Sequence, residues 1–408
     1  MKILLINHYA GAPELGMEFR PFYMAKEWGK LGHETLIIGG SFSHLRRRQP
    51  SDDERIIDGV HYSWVKVNKY AGNGVGRIIS MFLFILKLFF RFRHYLGNFQ
   101  PDIVIASSTY PMDIYPARKI ARHYHAKLIY EVHDLWPLSP MELGGYSKNH
   151  PFIRVVQRAE NYCYRHVDAV VSMLPAAEQH MIEHGLEKGK FNYVPNGIDL
   201  TEWNTSDDID NPYAEDLQKF KDDGCFILCY TGGHAISNAL DVLLDALKII
   251  ADTDIKCLLV GNGQEKLRLM KRVEQEGIRN VFFYNPVPKS KIPPLLKSVD
   301  ALYIGWHKSP LYQYGISPNK LLDYMMAGKP IIHSVCAAND WVKDAECGIS
   351  VDVENPQAIS DAIIALKNMP EIDRERLGEN GRRYVLANHT YGVLAKRFAD
   401  VMTNILKK

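Results

Sequence analysis

Cysteine is sparse and unpatterned in this chain, six residues in 408, with no C-x-x-C pair and no metal-ligand spacing. Cys163, Cys225, Cys229, Cys257, Cys336 and Cys347 therefore argue against a disulfide scaffold or a zinc finger and read as buried thiols of a reducing compartment. No H-E-x-x-H, G-x-S-x-G or Walker-type loop is present, which argues against metallohydrolases, serine hydrolases and nucleoside triphosphatases. The spacing from Gly11 to Gly16 is not a dinucleotide fingerprint. Asp252-Thr253-Asp254 and Asp208-Ile209-Asp210 fall in a loop and a linker and read as solvated acids, so no metal site is expected. A secretory leader is not apparent either, because Met1 to Asn7 reads as a short strand entering a loop, and the expected location is cytoplasmic. An excess of either charge is also missing, with a net charge of +2. Residues 1–200 nevertheless carry 24 Lys and Arg against 19 Asp and Glu, while residues 201–408 carry 25 against 28, so any anionic surface would meet the first half. No nucleic-acid partner is expected.

A chain of 408 residues exceeds one ordinary core and implies two domains. In the first half, strands and helices alternate: strands Lys2 to Asn7, Glu34 to Gly39, Asp102 to Ala106, Leu128 to Val132 and Ala169 to Ser172, with helices from about Met17, Met112, Phe152 and Pro175. The pattern restarts with strands Phe226 to Tyr230, Lys256 to Val260, Val281 to Tyr284 and Ala301 to Ile304. Such alternation means α/β, doubly wound parallel sheets with right-handed crossovers. The expected division is residues 1–200, a linker over 201–224, a second domain over 225–388, and a helix over 389–408 that crosses back to the first domain.

Ser41 to Asp58 has no apolar period and reads as a surface loop whose Arg46-Arg47-Arg48 either touches a phosphate or is solvated. Arg77 to Tyr95 is rich in Phe and Leu, but its unbroken apolar run falls short of the about 20 residues a bilayer span takes. It reads as a buried crossover helix, as a helix facing a membrane surface, or as both on different stripes. Gly16 follows the first strand and serves its turn or a ligand. His133 and Asp134 directly follow a buried strand, at the mouth where doubly wound folds bind ligands. Asp134 either orients His133 or caps the next turn.

The most informative stretch runs from Ser317 to Ile332. Pro318 starts a helix that Asn319 is able to cap, and Gly328 ends it ahead of a buried strand. Backbone N–H groups at that helix start, with Lys320 beside them and Asp323 about one turn on, suit an anionic phosphate and a vicinal diol on one ligand.

The ordered set Gly16, Leu31-Gly32-His33-Glu34, Glu131-Val132-His133-Asp134-Leu135-Trp136-Pro137, Val194-Pro195-Asn196-Gly197-Ile198-Asp199, Gly232-Gly233, Val260-Gly261-Asn262-Gly263 and Ser317-Pro318-Asn319-Lys320-Leu321-Leu322-Asp323-Tyr324 resembles family 4 glycosyltransferases. Within them it is most similar to the branch that includes bacterial fucosamine transferases of O-antigen and capsule assembly. The resemblance covers nearly the whole chain. It implies a GT-B fold, two Rossmann-like doubly wound domains facing a central cleft, a nucleotide-sugar donor held mainly by the second, and transfer with retention.

By the same resemblance Asp323 matches the second acid of the family's E-x7-E motif and holds the ribose, while the first acid falls at Gly315 and is missing. Backbone around Gly315, Ile316 and Ser317, with Pro318 and Asn319, takes its place. The family's phosphate-binding lysine aligns with Asn238, and Lys320 is its replacement. Gly16, Gly232, Gly233 and Gly263 let backbone approach the donor, and Val287 meets the base. His133 lies where relatives contact the donor sugar, and with Lys320 makes the expected catalytic pair. The expected acceptor is a polyprenyl-diphosphate-linked or other glycan at the inner leaflet, reached through residues 77–95. The rival readings are a membrane-associated scaffold or regulatory subunit that lost the chemistry, and a nucleotide-sugar epimerase.

Overall fold

The computed structural model describes residues 1–51, 53–72, 74–204 and 210–407, so Asp52, Asp208, Ile209 and Lys408 lie outside the described residues. The chain divides into two compact units, one of residues Met1–Asn196 with the C-terminal helix Tyr391–Leu406, the other of residues Gly197–Thr390.

The first unit is built on strands β1 (Lys2–Ile6), β2 (Glu34–Gly40), β3 (Ile56–Ile57), β4 (Val60–Val65), β5 (Ile103–Ala106), β6 (Lys127–Val132), β7 (Ala169–Ser172) and β8 (Phe191–Tyr193) in the order β3-β4-β2-β1-β5-β6-β7-β8. All pairs are parallel except β3 with β4. The strands at the centre, ILLI in β1 and IVIA in β5, are buried on both faces, as a sheet covered by helices on each side requires. The order reverses between β1 and β5, the switch point at whose carboxyl ends such folds bind ligands.

β3 and β4 correct the reading of Ser41 to Asp58 as a plain surface loop. Asp58 (φ 46°) and Gly59 (φ 79°) make a two-residue hairpin turn, and Val60, Tyr62 and Val65 of β4 are buried. Arg46 is not solvated. Its Nη1 donates to the Gly40 carbonyl at 2.8 Å and its Nε to that of Ala10 at 2.8 Å, with the guanidinium 4.8 Å above the Trp64 ring. Arg48, by contrast, is exposed and pairs with Glu54.

The first helix runs Arg20–Lys30, later than expected, because Pro21 suits the first helical turn. Trp28 on it is fully buried and its indole N–H donates to the Ala395 carbonyl at 3.1 Å, and Tyr23 stacks on Tyr391 at 4.8 Å, so the C-terminal helix belongs to this unit. Helix Val75–Leu96 is two-faced: Met81, Phe84, Ile85, Leu88 and Phe92 are buried, whereas Val75, Ile79, Phe82, Leu86 and Phe90 are exposed at intervals of three and four residues. Among the described residues no helix is long and apolar enough to cross a membrane.

The second unit carries β9 (Phe226–Thr231), β10 (Ile255–Val260), β11 (Val281–Tyr284), β12 (Ala301–Gly305), β13 (Ile331–Ser334) and β14 (Gly348–Val351), all parallel, in the order β11-β10-β9-β12-β13-β14. This is the doubly wound order, reversing between β9 and β12. The stretch expected as a linker departs from that reading. It includes helices Thr201–Asn204 and Ala214–Asp222, and Trp203 and Leu217 on them are buried in this unit's core beside Ile227 and Leu296. Its polar composition hides two apolar anchors, which are enough to hold short helices to the sheet.

Candidate functional site

In the second unit the loops after β9 and β10 interlock. Gly232 N–H donates to the Val260 carbonyl at 3.0 Å, and His234 N–H to that of Asn262 at 2.8 Å. Gly261 has φ +152°, and a Cβ there would stand 1.9 Å from the Gly232 oxygen, so backbone packs on backbone where a side chain has no room. Gly232 (φ +142°) faces the other way, and its Cβ would stand 3.3 Å from Lys320 Nζ. Gly263 packs behind this layer, against the His234 carbonyl.

The two loops form one wall of a cavity of about 380 Å³. Gly232, Gly233 and Asn262 line it from these loops, together with Pro286, Val287, Ile292, Lys320 and Asp323. A larger hollow of about 750 Å³ opens beside β14, between Val335, Lys343 and Ser350, but none of the glycine loops reaches it. The smaller cavity sits at the carboxyl ends of the strands, where this topology binds ligands.

Helix Asn319–Met326 delivers the charged residues. Pro318 occupies its N-cap, and no side chain caps it, so Asn319 does not play the capping role its type suggested. Lys320 and Asp323 are three residues apart and share the face towards the cavity. Tyr324 fixes the helix in register: its hydroxyl donates to the Thr231 carbonyl at 3.0 Å and accepts from the Thr231 N–H at 2.7 Å. Gly315 to Pro318 lead into the helix that Asn319 begins, and the cavity lining does not include them. Gly315 has φ +104°, and Asn339 clamps Ile316 by accepting from its N–H at 2.8 Å and donating to its carbonyl at 3.0 Å.

Lys320 is the electrostatic centre of the site. Its ammonium donates to Tyr230 Oη at 2.9 Å and Asn238 Oδ1 at 2.6 Å, and lies 4.7 Å over the Tyr230 ring. Asn238 Nδ2 and the Tyr230 hydroxyl both donate to the Gly233 carbonyl, at 2.9 and 2.8 Å. Among the described residues no carboxylate pairs with Lys320, and burial lowers its pKa from 10.5 to about 7. A half-buried ammonium with neutral partners only is under-compensated, and an incoming anion would relieve it.

The first unit brings a second group of polar residues to its own switch point. After β1, Asn7 Nδ2 donates to the Ser107 carbonyl at 2.7 Å, tying this loop to the one after β5. At the end of β6, Glu131 is buried between Arg20, whose Nε donates at 2.9 Å, and Ser107, whose Oγ donates at 2.5 Å. Burial alone would raise the Glu131 carboxyl; Arg20, then His133 and Ser107, outweigh it and hold it at about 2. Because the Ser107 proton goes to Glu131, its Oγ accepts from His133 Nε2 at 3.0 Å, which places the imidazole proton on Nε2. Asp134 turns away from this pair: it accepts from Leu135 N–H and Ser139 Oγ, holding the following turn. Gly16 is buried against the backbone of Arg46 and Arg47.

The sequence profile described as Glycosyltransferase Family 4 matches residues 16–202, and the one described as Glycosyl transferases group 1 matches residues 215–384. The chain belongs to the family 4 glycosyltransferases. This glycosyltransferase is 23% identical over 252 residues to the Escherichia coli (strain K12) colanic acid biosynthesis glycosyl transferase WcaI, whose own role is provisionally assigned. The match spans 61% of each chain. Among solved structures it resembles sucrose-phosphate synthase from Thermosynechococcus elongatus, with a TM-score of 0.75 at 15% identity over 100% of this chain and 99% of the other. It also resembles Anabaena HepE, solved with UDP and glucose, with a TM-score of 0.68 at 15% identity over 99% and 100%. These likenesses establish the GT-B architecture, two Rossmann-like α/β domains.

Several residues of the glycosyltransferase's two polar groups escape sequence reasoning. Arg20, Ser107, Tyr324 and Asn339 act through partners 23 to 175 positions away, beyond any local pattern. Asp113 accepts from the Ser108 N–H with one oxygen and, among the described residues, has no hydrogen-bond partner for the other, and burial raises its carboxyl to about 7. His8, clasped between Tyr9 and Phe84, is lowered to about 3 by burial and then by Arg46. Only Pro21, which marks the helix start beside Arg20, was a local signal.

Proposed function

We propose that this glycosyltransferase holds a nucleoside diphosphate sugar, a uridine one, in the cavity of its second unit and transfers the sugar with retention. The acceptor is a lipid-linked or other glycan of bacterial surface polysaccharide assembly. The observation that carries this reading is Lys320, a desolvated ammonium with neutral partners, one helical turn from Asp323 and facing a wall of bare glycine backbone. Lys320 neutralises the diphosphate as the anomeric C–O bond breaks, Asp323 accepts from the ribose hydroxyls, and backbone at Val287 meets the base. Tyr230 and Asn238 fix the ammonium, so the positive charge is in place before the leaving group develops its own. The chemistry needs no metal in this reading, because Lys320 supplies the cation. Gly315 to Asn319 set the start of the helix. His133, held by Ser107 and Glu131, acts at the sugar.

The sugar moved is a hexosyl or N-acetylhexosaminyl group, as the fucosamine-transferase-like motifs suggest. UDP is favoured by the complex of the structurally similar HepE with that nucleotide, and polysaccharide assembly by the likeness to the colanic acid transferase. The exposed stripe Val75, Ile79, Phe82, Leu86 and Phe90, with exposed Arg91 and Arg93 on the same helix, lays the protein on the inner face of an anionic membrane, peripheral to it, where a polyprenyl-linked acceptor resides. The rival is a scaffold of the same fold that binds nucleotide without turnover, favoured by Gly315 in place of the family's first acid. A thermal-shift panel of uridine, guanosine and adenosine diphosphate sugars, followed by assay of donor hydrolysis, tests both. A melting shift with the uridine sugars and slow release of free sugar are expected. No shift with any of them removes the donor assignment, and a shift without hydrolysis or transfer favours the scaffold.

A further inference from the structure

Away from the residues assigned to transfer, Glu160, His180 and His184 of the first unit bring one donor atom each to within 4.8 Å of one another. Glu160 lies on helix Pro151–His166 and is buried; His180 lies on helix Glu178–Glu183 and His184 directly follows its end. The four-residue spacing puts both imidazoles on one side, ring centroids 4.4 Å apart. His180 Nε2 is 3.1 Å from Glu160 Oε1. Two ligands of a tetrahedral zinc ion, bonded at about 2.0–2.1 Å, stand roughly 3.3 Å from each other, so this separation suits a shared ion.

The outer contacts are those of a ligand set. Gln157 Nε2 lies 2.7 Å from Glu160 Oε2, 2.8 Å from Asn161 Oδ1 and 3.1 Å from His184 Nδ1, and its two protons are assigned to the two nearer oxygens. Asn161 Oδ1 then accepts from His184 Nδ1 at 2.9 Å. That bond puts the His184 proton on Nδ1 and the lone pair on Nε2, the arrangement in which an outer carbonyl orients a metal-binding imidazole. Tyr164 donates its hydroxyl to Glu160 Oε1 at 3.1 Å. Among the described residues no lysine or arginine forms an ion pair with Glu160, so a buried carboxylate sits beside two imidazoles without a permanent cation.

We infer that Glu160, His180 and His184 bind one divalent ion of the zinc class, with water completing a tetrahedron, and that the ion ties helices Pro151–His166 and Glu178–Glu183 together. A set of two imidazoles and one carboxylate selects zinc or cobalt over magnesium or calcium. The test uses the untagged full chain, stripped with a chelator, dialysed, and offered zinc or cobalt chloride. About one equivalent of zinc should be retained through gel filtration, the melting temperature should rise, and cobalt should give the intense visible bands of a tetrahedral site. His184→Ala, a half-buried position, should lose retention and bands, and Asn161→Ala should weaken affinity by about 10–100-fold. Failure of the wild-type chain to retain zinc and to develop the cobalt bands overturns the inference. So does equal uptake by wild type and His184→Ala.

Discussion

Lys320 Nζ lies 2.6 Å from Asn238 Oδ1, so the cation of the site is held by a neutral amide rather than by a carboxylate. Asn238 ties that charge to the glycine loop by also donating its Nδ2 proton to the Gly233 carbonyl at 2.9 Å.

Lys320→Ala should lower kcat by about 10²–10³, the usual cost of one preorganised electrostatic contact to a leaving group. Asn238→Ala should cost less, about tenfold, because it removes only a hydrogen bond to that charge. Combining them should add little to Lys320→Ala alone, since Asn238 works through Lys320. Steady-state kinetics of the three variants checks this, and additive losses would separate the two residues.

Donor binding should weaken as pH rises above 7. Below that point Lys320 carries its charge; above it the ammonium has lost its proton and the diphosphate must restore it. The penalty reaches at most about tenfold per pH unit. The ligand-free protein should show the opposite trend in stability: between about 7 and 10.5 the unfolded chain holds a proton that the folded one lacks, so this group's destabilising effect fades as pH rises. Calorimetric titrations and melts from pH 6 to 9 measure both.

Glu131→Gln should destabilise the protein by about 3–5 kcal/mol, because it strands the buried Arg20 guanidinium. His133→Gln removes a partly exposed ring and should slow transfer with little loss of stability. The Glu131 carboxyl is depressed from 4.5 to about 2, so its contribution is fully present above pH 4.5 and is lost as pH falls towards 2. Urea unfolding at pH 7, 4 and 3 resolves this.

Much of the scaffold was legible because parallel strands buried on both faces leave unbroken apolar runs, as in Ile103 to Ala106 and Cys257 to Val260. Lys320 and Asp323 were legible from helical spacing beside a proline-started turn. β4 was not, although Asp58-Gly59 carries a hairpin signal, because the polar residues on both sides mask a short alternation at Val60, Tyr62 and Val65. Arg46 reads as solvent-facing in any local window and is buried only because carbonyls of Ala10 and Gly40 converge on it. Glu131 stood in a recognised run, but its partner Arg20 is 111 positions away.

Phe82→Ser, Leu86→Ser and Phe90→Ser together should abolish flotation with anionic vesicles while leaving the melting temperature nearly unchanged, since all three side chains are exposed. Wild-type protein that stays with the soluble fraction would remove the membrane-facing role of helix Val75–Leu96.

The most direct measurement is calorimetric titration of UDP and of uridine into wild type and Lys320→Met at pH 6.5 and 8.5. UDP should bind wild type far more tightly than uridine does, weaken at the higher pH, and lose both the preference and the pH dependence in Lys320→Met. Equal affinity for UDP and uridine in wild type, or an unchanged UDP titration in Lys320→Met, would contradict the assignment of Lys320 to the diphosphate.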